Sequence, residues 1–298
     1  MKIIDALPRK KYLDALKHSK TPGWSRKKKA AIAYCKEWAA SPEINKSQLP
    51  ELLFGYGKDS SALFLLLKMA GVKFRPITVL NGGDMPQHEL VFPEFDKFID
   101  MSQYPHVIHR TEYRYVEHLA ALVQWGRDNG MTHKGKPISY WNMGPLLDEL
   151  YWVTADSFMG EASGFEDDVL MFSGKRTSEA MDRFYEVDRN GPFFRDGDEK
   201  GRYAFTWFNG YPIHDWKDID VWALLVSEDV PISPVYSFHE IPQKLGKQRF
   251  PRTYWYPEPP LMNGTYYKWL ARYCPAQVRE LDELFPEIRE HLTQGKEE

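Results

Sequence analysis

Leu52-Leu53-Phe54-Gly55-Tyr56-Gly57-Lys58-Asp59-Ser60-Ser61-Ala62-Leu63 passes from an apolar run, through two glycines, into a segment opening with Lys, Asp and two Ser. That order reads as a buried strand, a tight turn and a helix start. Glycine lets backbone come close to an anion, and the first amides of a helix have no intrahelical acceptor, so they point beyond its end. Gly55 and Gly57 are therefore candidate backbone contacts. Lys58 adds a positive charge for phosphate oxygens, Ser60 and Ser61 add hydroxyl donors, and Asp59 is a candidate Mg²⁺ ligand. The Gly-x-x-x-x-Gly-Lys-Ser/Thr spacing of a Walker A loop is absent. Alone, the run is equally an ordinary strand–turn–helix with a solvated Lys and a capping Asp.

The pattern around this run repeats its logic. From about 48 to 240, short apolar runs alternate with helical periodicity. Strands are predicted at 51–54, 75–80, 105–109 and 168–172, and helices at 59–70, 87–101, 114–128, 143–158, 176–184 and 216–228. Such alternation predicts an α/β fold with a mostly parallel sheet covered by helices, and ligands then bind beyond the carboxyl ends of its strands. Residues 185–209 read as a long hairpin or an inserted loop. Residues 1–45 form a basic helical arm, with helices near 9–18 and 25–39 broken at Thr21-Pro22-Gly23. Its runs Arg9-Lys10-Lys11 and Arg26-Lys27-Lys28-Lys29 read either as a solvated face, packed through Leu13, Leu16, Trp24, Ile32 and Tyr34, or as a footprint for nucleic-acid phosphates. Residues 241–298 hold the aromatic, proline-rich run Tyr254–Pro260, then helices near 264–273 and 276–293.

Composition narrows the field. The chain has 298 residues, enough for one large domain with appendages, and a formal charge of −3, so it is not basic throughout. No apolar run is long enough to span a membrane, and the N-terminus lacks an apolar signal region; the reading is a cytoplasmic protein. Two cysteines, Cys35 and Cys274, cannot build a disulfide framework or a four-cysteine cluster. Cys35 reads as packing. His106, His109 and His133 lack a constellation that would make a zinc site.

Two further runs carry chemistry. Val169–Phe172 is a second buried strand, followed by Ser173-Gly174-Lys175-Arg176-Thr177-Ser178-Glu179-Ala180 and then Arg183. Gly174 marks the turn. Arg176 suits a phosphate or sulfate at a strand's carboxyl end, braced by Glu179 and Arg183 on one helical face; the plain alternative is a surface i,i+4 pair. In Tyr211-Pro212-Ile213-His214-Asp215-Trp216-Lys217-Asp218-Ile219-Asp220-Val221-Trp222, Asp215 reads as a helix N-cap and His214 as a possible phosphate contact.

Together, the three runs resemble the phosphoadenosine-phosphosulfate (PAPS) reductase-like branch of the PP-loop ATP pyrophosphatases, the adenine nucleotide alpha hydrolase superfamily. The family's S-x-G-K-D-S is matched by Gly55 to Ser60, its G-x-R-x-x-E-S-x-x-R by Gly174 to Arg183 with Ala180 for Ser, and its P-I-x-x-W-x-x-x-D-V-W by Pro212-Ile213, Trp216 and Asp220-Val221-Trp222. Asn81-Gly82-Gly83 sits where the family has an acidic turn, which makes Asn81 and Gly83 nucleotide contacts by resemblance. The resemblance spans roughly residues 48–240. It implies an open parallel sheet of about five strands with helices on both faces and ATP across its carboxyl edge. Gly57, Lys58, Asp59 and Ser60 would hold its phosphates with Mg²⁺. It also implies cleavage of the α–β bond, leaving an adenylylated substrate for a sulfur or nitrogen nucleophile.

The departures sharpen this. Gly55 replaces a serine and Tyr56 a small residue. Cys274, in Arg272-Tyr273-Cys274-Pro275, does not match the E-C-G-x-H of the thiol-dependent reductases, and two cysteines do not ligate an iron–sulfur cluster. The leading expectation is an adenylylating enzyme acting on DNA or RNA, with sulfur from a partner such as a cysteine desulfurase. A sulfonucleotide reductase using Cys274, or a silent nucleotide-binding subunit docking through 250–270, are the alternatives.

Overall fold

The structure is a computed structural model and describes residues 2–81, 92–111, 115–143, 146, 167–197, 206–232, 271 and 275–289. In chain order the helices and strands are α1 (Ile3–Ala6), α2 (Arg9–His18), α3 (Pro22–Ala40), β1 (Glu51–Leu53), α4 (Lys58–Ala70), β2 (Arg75–Asn81), α5 (Phe92–Ile99), β3 (Val107–Thr111) and α6 (Tyr115–Asp128). There follow β4 (Thr132–His133), β5 (Lys136–Pro137), β6 (Val169–Phe172), α7 (Met181–Asn190), β7 (Phe193–Gly197), β8 (Thr206–Gly210), α8 (Asp218–Ser227) and α9 (Pro275–Leu284). None of the described helices is long and apolar enough to cross a membrane.

Two compact units emerge, one of Met1–Val79, Glu89–His109 and Ser163–Ser237, the other of Leu80–His88, Arg110–Ala162 and Phe238–Glu298. The principal sheet has six strands in the order β3-β2-β1-β6-β8-β7. β1 runs parallel to both β2 and β6, and β6 parallel to β8, with Leu52 opposite Pro76 and Phe172, and Leu170 opposite Phe208. β7 pairs antiparallel with β8, so the segment read as a long hairpin supplies an antiparallel edge and one more strand than expected. The fold is α/β, a mostly parallel sheet flanked by helices. From β1 the chain winds outward one way to β2 and β3, and from β6 the other way to β8. A topological switch point therefore lies between β1 and β6, and open sheets of this kind bind ligands beyond the carboxyl ends of the strands there.

Burial explains the central elements. Every residue of β6 is buried, as a strand covered on both faces should be. α4 is apolar on most sides because it packs against β1, α3 and α8; Leu63, Phe64, Leu66 and Leu67 are fully buried. Gly71, at φ +68°, closes it in the left-handed conformation that favours glycine. The arm packs through Trp24, Ala15, Ala31, Cys35 and Trp38, whereas Leu13 is half exposed, contrary to its expected packing part. Thr21 caps α3 by accepting from the Trp24 amide, and Pro22 takes the first-turn place where a missing N–H costs nothing.

In the second unit β4 and β5 form a hairpin whose turn places Lys134 and Gly135 at positive φ. Glu287 there accepts from Arg127 and from the Tyr140 amide, and Phe285 packs on the Tyr140 ring.

Several expected boundaries move, among them the start of α3, which lies at Pro22 and not at 25. The helix expected over 176–184 begins only at Met181, because Thr177 and Ser178 bond to the carbonyls of His214 and Trp216 and hold 177–179 as a turn. Asp215 does not cap α8; Lys217 occupies the cap, and its amide donates to the Asp220 carboxylate at 2.8 Å. β3 starts two residues later than expected. Nearly all of the helix expected at 143–158, the 254–260 run and most of the helix expected at 264–273 lie outside the described residues.

Candidate functional site

β1 ends in a loop, Phe54 to Gly57, that delivers the chain to α4. The residue with the left-handed backbone is Tyr56, φ +53°, and neither flanking glycine. That conformation costs a bulky residue on the order of 1 kcal/mol. Burial offsets it, since the Tyr56 ring packs against Phe54, Phe95 and His106 and its hydroxyl donates to Asp96 at 2.7 Å. Gly57 is the N-cap of α4 with no side chain, so the first-turn amides face outward without a capping group. Ser60 donates its hydroxyl to the Gly57 carbonyl. Ser61 is buried on the packed side of α4, away from the expected hydroxyl role.

The loop after β6 lies directly against this turn. A Cβ on Gly174 would sit 3.0 Å from the Asp59 carbonyl carbon and 3.1 Å from its Cβ, so glycine lets this loop and the first turn of α4 approach without displacement. Arg176 is 3% exposed. Its Nε lies 2.8 Å from Asp59 Oδ1, and its Nη2 2.8 Å from Glu179 Oε1 and 3.8 Å from Asp218 Oδ1. Glu179 also takes Arg183, so the expected brace forms, with Glu179 in the turn preceding α7. Lys58 Nζ lies 2.6 Å from Asp59 Oδ2, 3.4 Å from Asp218 Oδ1 and 4.0 Å from Glu179 Oε1. Lys11, from the arm, reaches Asp218 Oδ2 at 3.0 Å. Sequence motifs more than a hundred residues apart thus meet in one charged cluster at the switch point.

Two atoms stand out. Asp59 Oδ1 and Arg176 Nε are shielded from solvent and 2.8 Å apart, yet off line for a hydrogen bond, and neither has another hydrogen-bond partner among the described residues. Their attraction is electrostatic, an ion pair between a buried carboxylate oxygen and a buried guanidinium nitrogen.

Asp218 shows the field at this place. Burial pushes its carboxyl up, but the charges of Lys58, Lys11 and Arg176 outweigh that and hold it below the usual carboxylate range. Burial pulls Lys11 down, with Asp218 opposing.

His214 does not join the cluster. Its carbonyl accepts from the Thr177 amide and hydroxyl, and its ring nitrogen lies 3.0 Å from the Tyr211 carbonyl with the Tyr34 ring nearby. It positions the Arg176 turn. Asn81 ends β2, while its side chain, Gly83 and Cys274 lie outside the described residues. Asp218 and Lys11 escaped the sequence reading. Asp218 carried a signal, an acid in the first turn of a helix beside a cation-rich motif. Lys11 carried none that separates it from Arg9 and Lys10. Among the described residues no group of three or more His, Cys, Asp or Glu is arranged to hold a metal ion.

The sequence matches no protein-family profile and no curated protein. Among solved structures, the chain is similar to FMN adenylyltransferase of Candida glabrata in complex with FMN and an ATP analog, at 13% identity over 80% of this chain and 72% of that one, with a TM-score of 0.41. It is similar to NMN synthetase of Francisella tularensis, at 12% identity over 70% of this chain and 71% of that one, TM-score 0.39. A third is the U34-tRNA thiolase NcsA of Methanococcus maripaludis with its 4Fe–4S cluster, at 11% identity over 92% of this chain and 82% of that one, TM-score 0.43. These are remote likenesses, and the chemistry of the site rests on this chain's own side chains.

Proposed function

We propose that the protein binds ATP with Mg²⁺ and transfers the adenylyl group to an oxygen of an acceptor, releasing pyrophosphate. The observation that carries this is the meeting of Lys58, Arg176 and the open N-terminus of α4 at the switch point of the sheet. Two cations and a helix end are what a polyphosphate needs, and Arg supplies it with a planar fork.

The acceptor oxygen attacks the α-phosphorus, the bond to the bridging oxygen of the β-phosphate breaks, and pyrophosphate leaves with that electron pair. Lys58, Arg176 and the amides of Lys58–Ser60 hold the charge that grows on the leaving group; Glu179 and Arg183 fix the Arg176 fork. Asp59 is the carboxylate that would hold Mg²⁺, once phosphate draws Lys58 and Arg176 away from the oxygens they pair with in this structure. When bound, the ion would neutralise phosphate charge.

A nucleic acid suits the acceptor. Lys10, Lys17, Arg26 and Lys29 of the arm are exposed, while Lys11, Lys27 and Lys28 turn inward onto acids of α8 and its end, so about half of the basic runs are held within the fold. Sulfur or nitrogen would come from a partner, such as a cysteine desulfurase. Cys35 is buried and burial pushes its thiol up to about 12, far from a reactive thiolate.

Labelled ATP with Mg²⁺, with and without DNA or tRNA, tests the reading by following AMP and pyrophosphate. Release that falls at least 100-fold in Lys58→Ala and stops with a chelator supports it. ATP binding without release under any acceptor supports a silent subunit, and release unaffected by Lys58→Ala sinks the proposal.

A further inference from the structure

Lys11 belongs to the arm, yet its ammonium ends inside the cluster. α2 packs along α8, and Lys11 lies over the Trp222 ring, 5.0 Å from its centroid. Asp218, the first residue of α8, is gripped from both sides: Oδ2 takes Lys11 at 3.0 Å and the Trp222 indole N–H at 3.0 Å, and Oδ1 faces Lys58 at 3.4 Å and Arg176 at 3.8 Å. Lys58 and Asp218 are the first residues of α4 and α8, and their side chains meet here. A carboxylate held between two ammonium groups, with a guanidinium beside it, occupies the kind of place an external oxyanion would take.

We propose that Lys11 is a second phosphate-binding ammonium of the site, that it grips the terminal phosphates of the nucleotide together with Lys58, and that Asp218 is a resident carboxylate which those phosphates displace. This rests on the ATP reading and deepens it, because the arm becomes part of the nucleotide site. Arg176, 3% exposed, faces the same Asp218 oxygen as Lys58, so the cations of the cluster converge on one carboxylate. The Lys11 pull is also felt electrostatically, since the charges of Lys58 and Arg176 both act to lower its proton affinity.

Calorimetric titration of the full chain with inorganic pyrophosphate and Mg²⁺ tests this. A lost charge-assisted hydrogen bond weakens binding roughly 10- to 100-fold, so Lys11→Met should do so and Lys11→Arg should restore most of it. Asp218→Asn keeps the shape but removes the competing charge, so it should tighten pyrophosphate binding several-fold. Opposite signs for these two neighbours are the signature, because a mere arm-docking pair would lose binding and melting temperature together in both. Weaker binding in Asp218→Asn, or unchanged binding in Lys11→Met, overturns the proposal. Lys58→Met separates the levels: if it weakens binding and Lys11→Met does not, only the Lys11 inference falls; if it too has no effect, the nucleotide reading falls with it.

Discussion

Replacing Gly174 with Ala places a methyl group against backbone. The added carbon meets the Asp59 carbonyl carbon at 3.0 Å, its Cβ at 3.1 Å and its carbonyl oxygen at 3.2 Å, where ordinary contact begins at 3.4 Å. The two loops must therefore part by a few tenths of an ångström, and Asp59 lies on the well-packed α4, so no flexible side-chain end can yield instead. Overpacking of this kind costs about 1–3 kcal/mol, which for a chain this long lowers the melting temperature by roughly 5 °C. The same displacement carries Asp59 away from Arg176, so pyrophosphate release should fall roughly tenfold, by the sensitivity of such sites to misplacement. Gly55→Ala is the control, since a Cβ there meets nothing within 4 Å and should change stability by less than about 0.5 kcal/mol. Thermal melts and release assays on both variants decide the matter. Equal effects in the two, or a Gly174→Ala protein that melts and turns over like the parent, would refute the reasoning.

Glu51 is fully buried and pairs through one oxygen with Arg75, and burial pushes its carboxyl up to about 7 against that pairing. Its folded value exceeds its unfolded one, so it favours folding below about pH 4.5 and that contribution is lost as pH rises to about 7, by at most about 3 kcal/mol. Urea titrations at pH 5 and 7.5 should show this slope diminished in Glu51→Gln; an identical slope would remove Glu51 as its source. Asp220, 3% exposed, gathers Lys27, His18 and the Lys217 amide. Asp220→Ala leaves those partly exposed donors to solvent and should cost about 1–3 kcal/mol by denaturant unfolding, whereas a loss under about 0.5 kcal/mol would mean the arm docks by apolar contacts alone. Tyr56→Phe should lower stability by about 1–2 kcal/mol, because the Asp96 carboxylate loses its 2.7 Å donor; an unchanged midpoint would show that solvent replaces it.

The sheet was largely legible because its strands are short apolar runs ending in glycine or polar residues, as Val169–Phe172 shows. β8 fell inside the 185–209 stretch read as a long hairpin or an inserted loop, the choice staying open because Thr206-Trp207-Phe208-Asn209-Gly210 mixes polar and aromatic residues with no clean alternation; pairing with β6 and β7 makes it a strand. At the site, Lys58, Asp59, Arg176, Glu179 and Arg183 could be picked from local motifs and do come together. Ser61 and His214 could not be judged, because which side of a helix or turn faces the cluster is settled by tertiary packing. Asp218 and Lys11 depend on α2 lying along α8, a contact between residues some two hundred positions apart that no local pattern encodes.

A glycine at position 56 would bend by itself, but a tyrosine bends only when its ring has somewhere to go. That shelter is Phe95 and Asp96, forty residues further along the chain, together with His106. The loop before α4 therefore keeps this shape only while α5 is docked against it. On the proposed reading, nucleotide capture would then depend on the docking of α5 as well as on the charged cluster itself. Hydrogen exchange at the amides of Lys58 and Asp59 should accordingly follow the opening of α5 rather than that of the more deeply packed turns of α4.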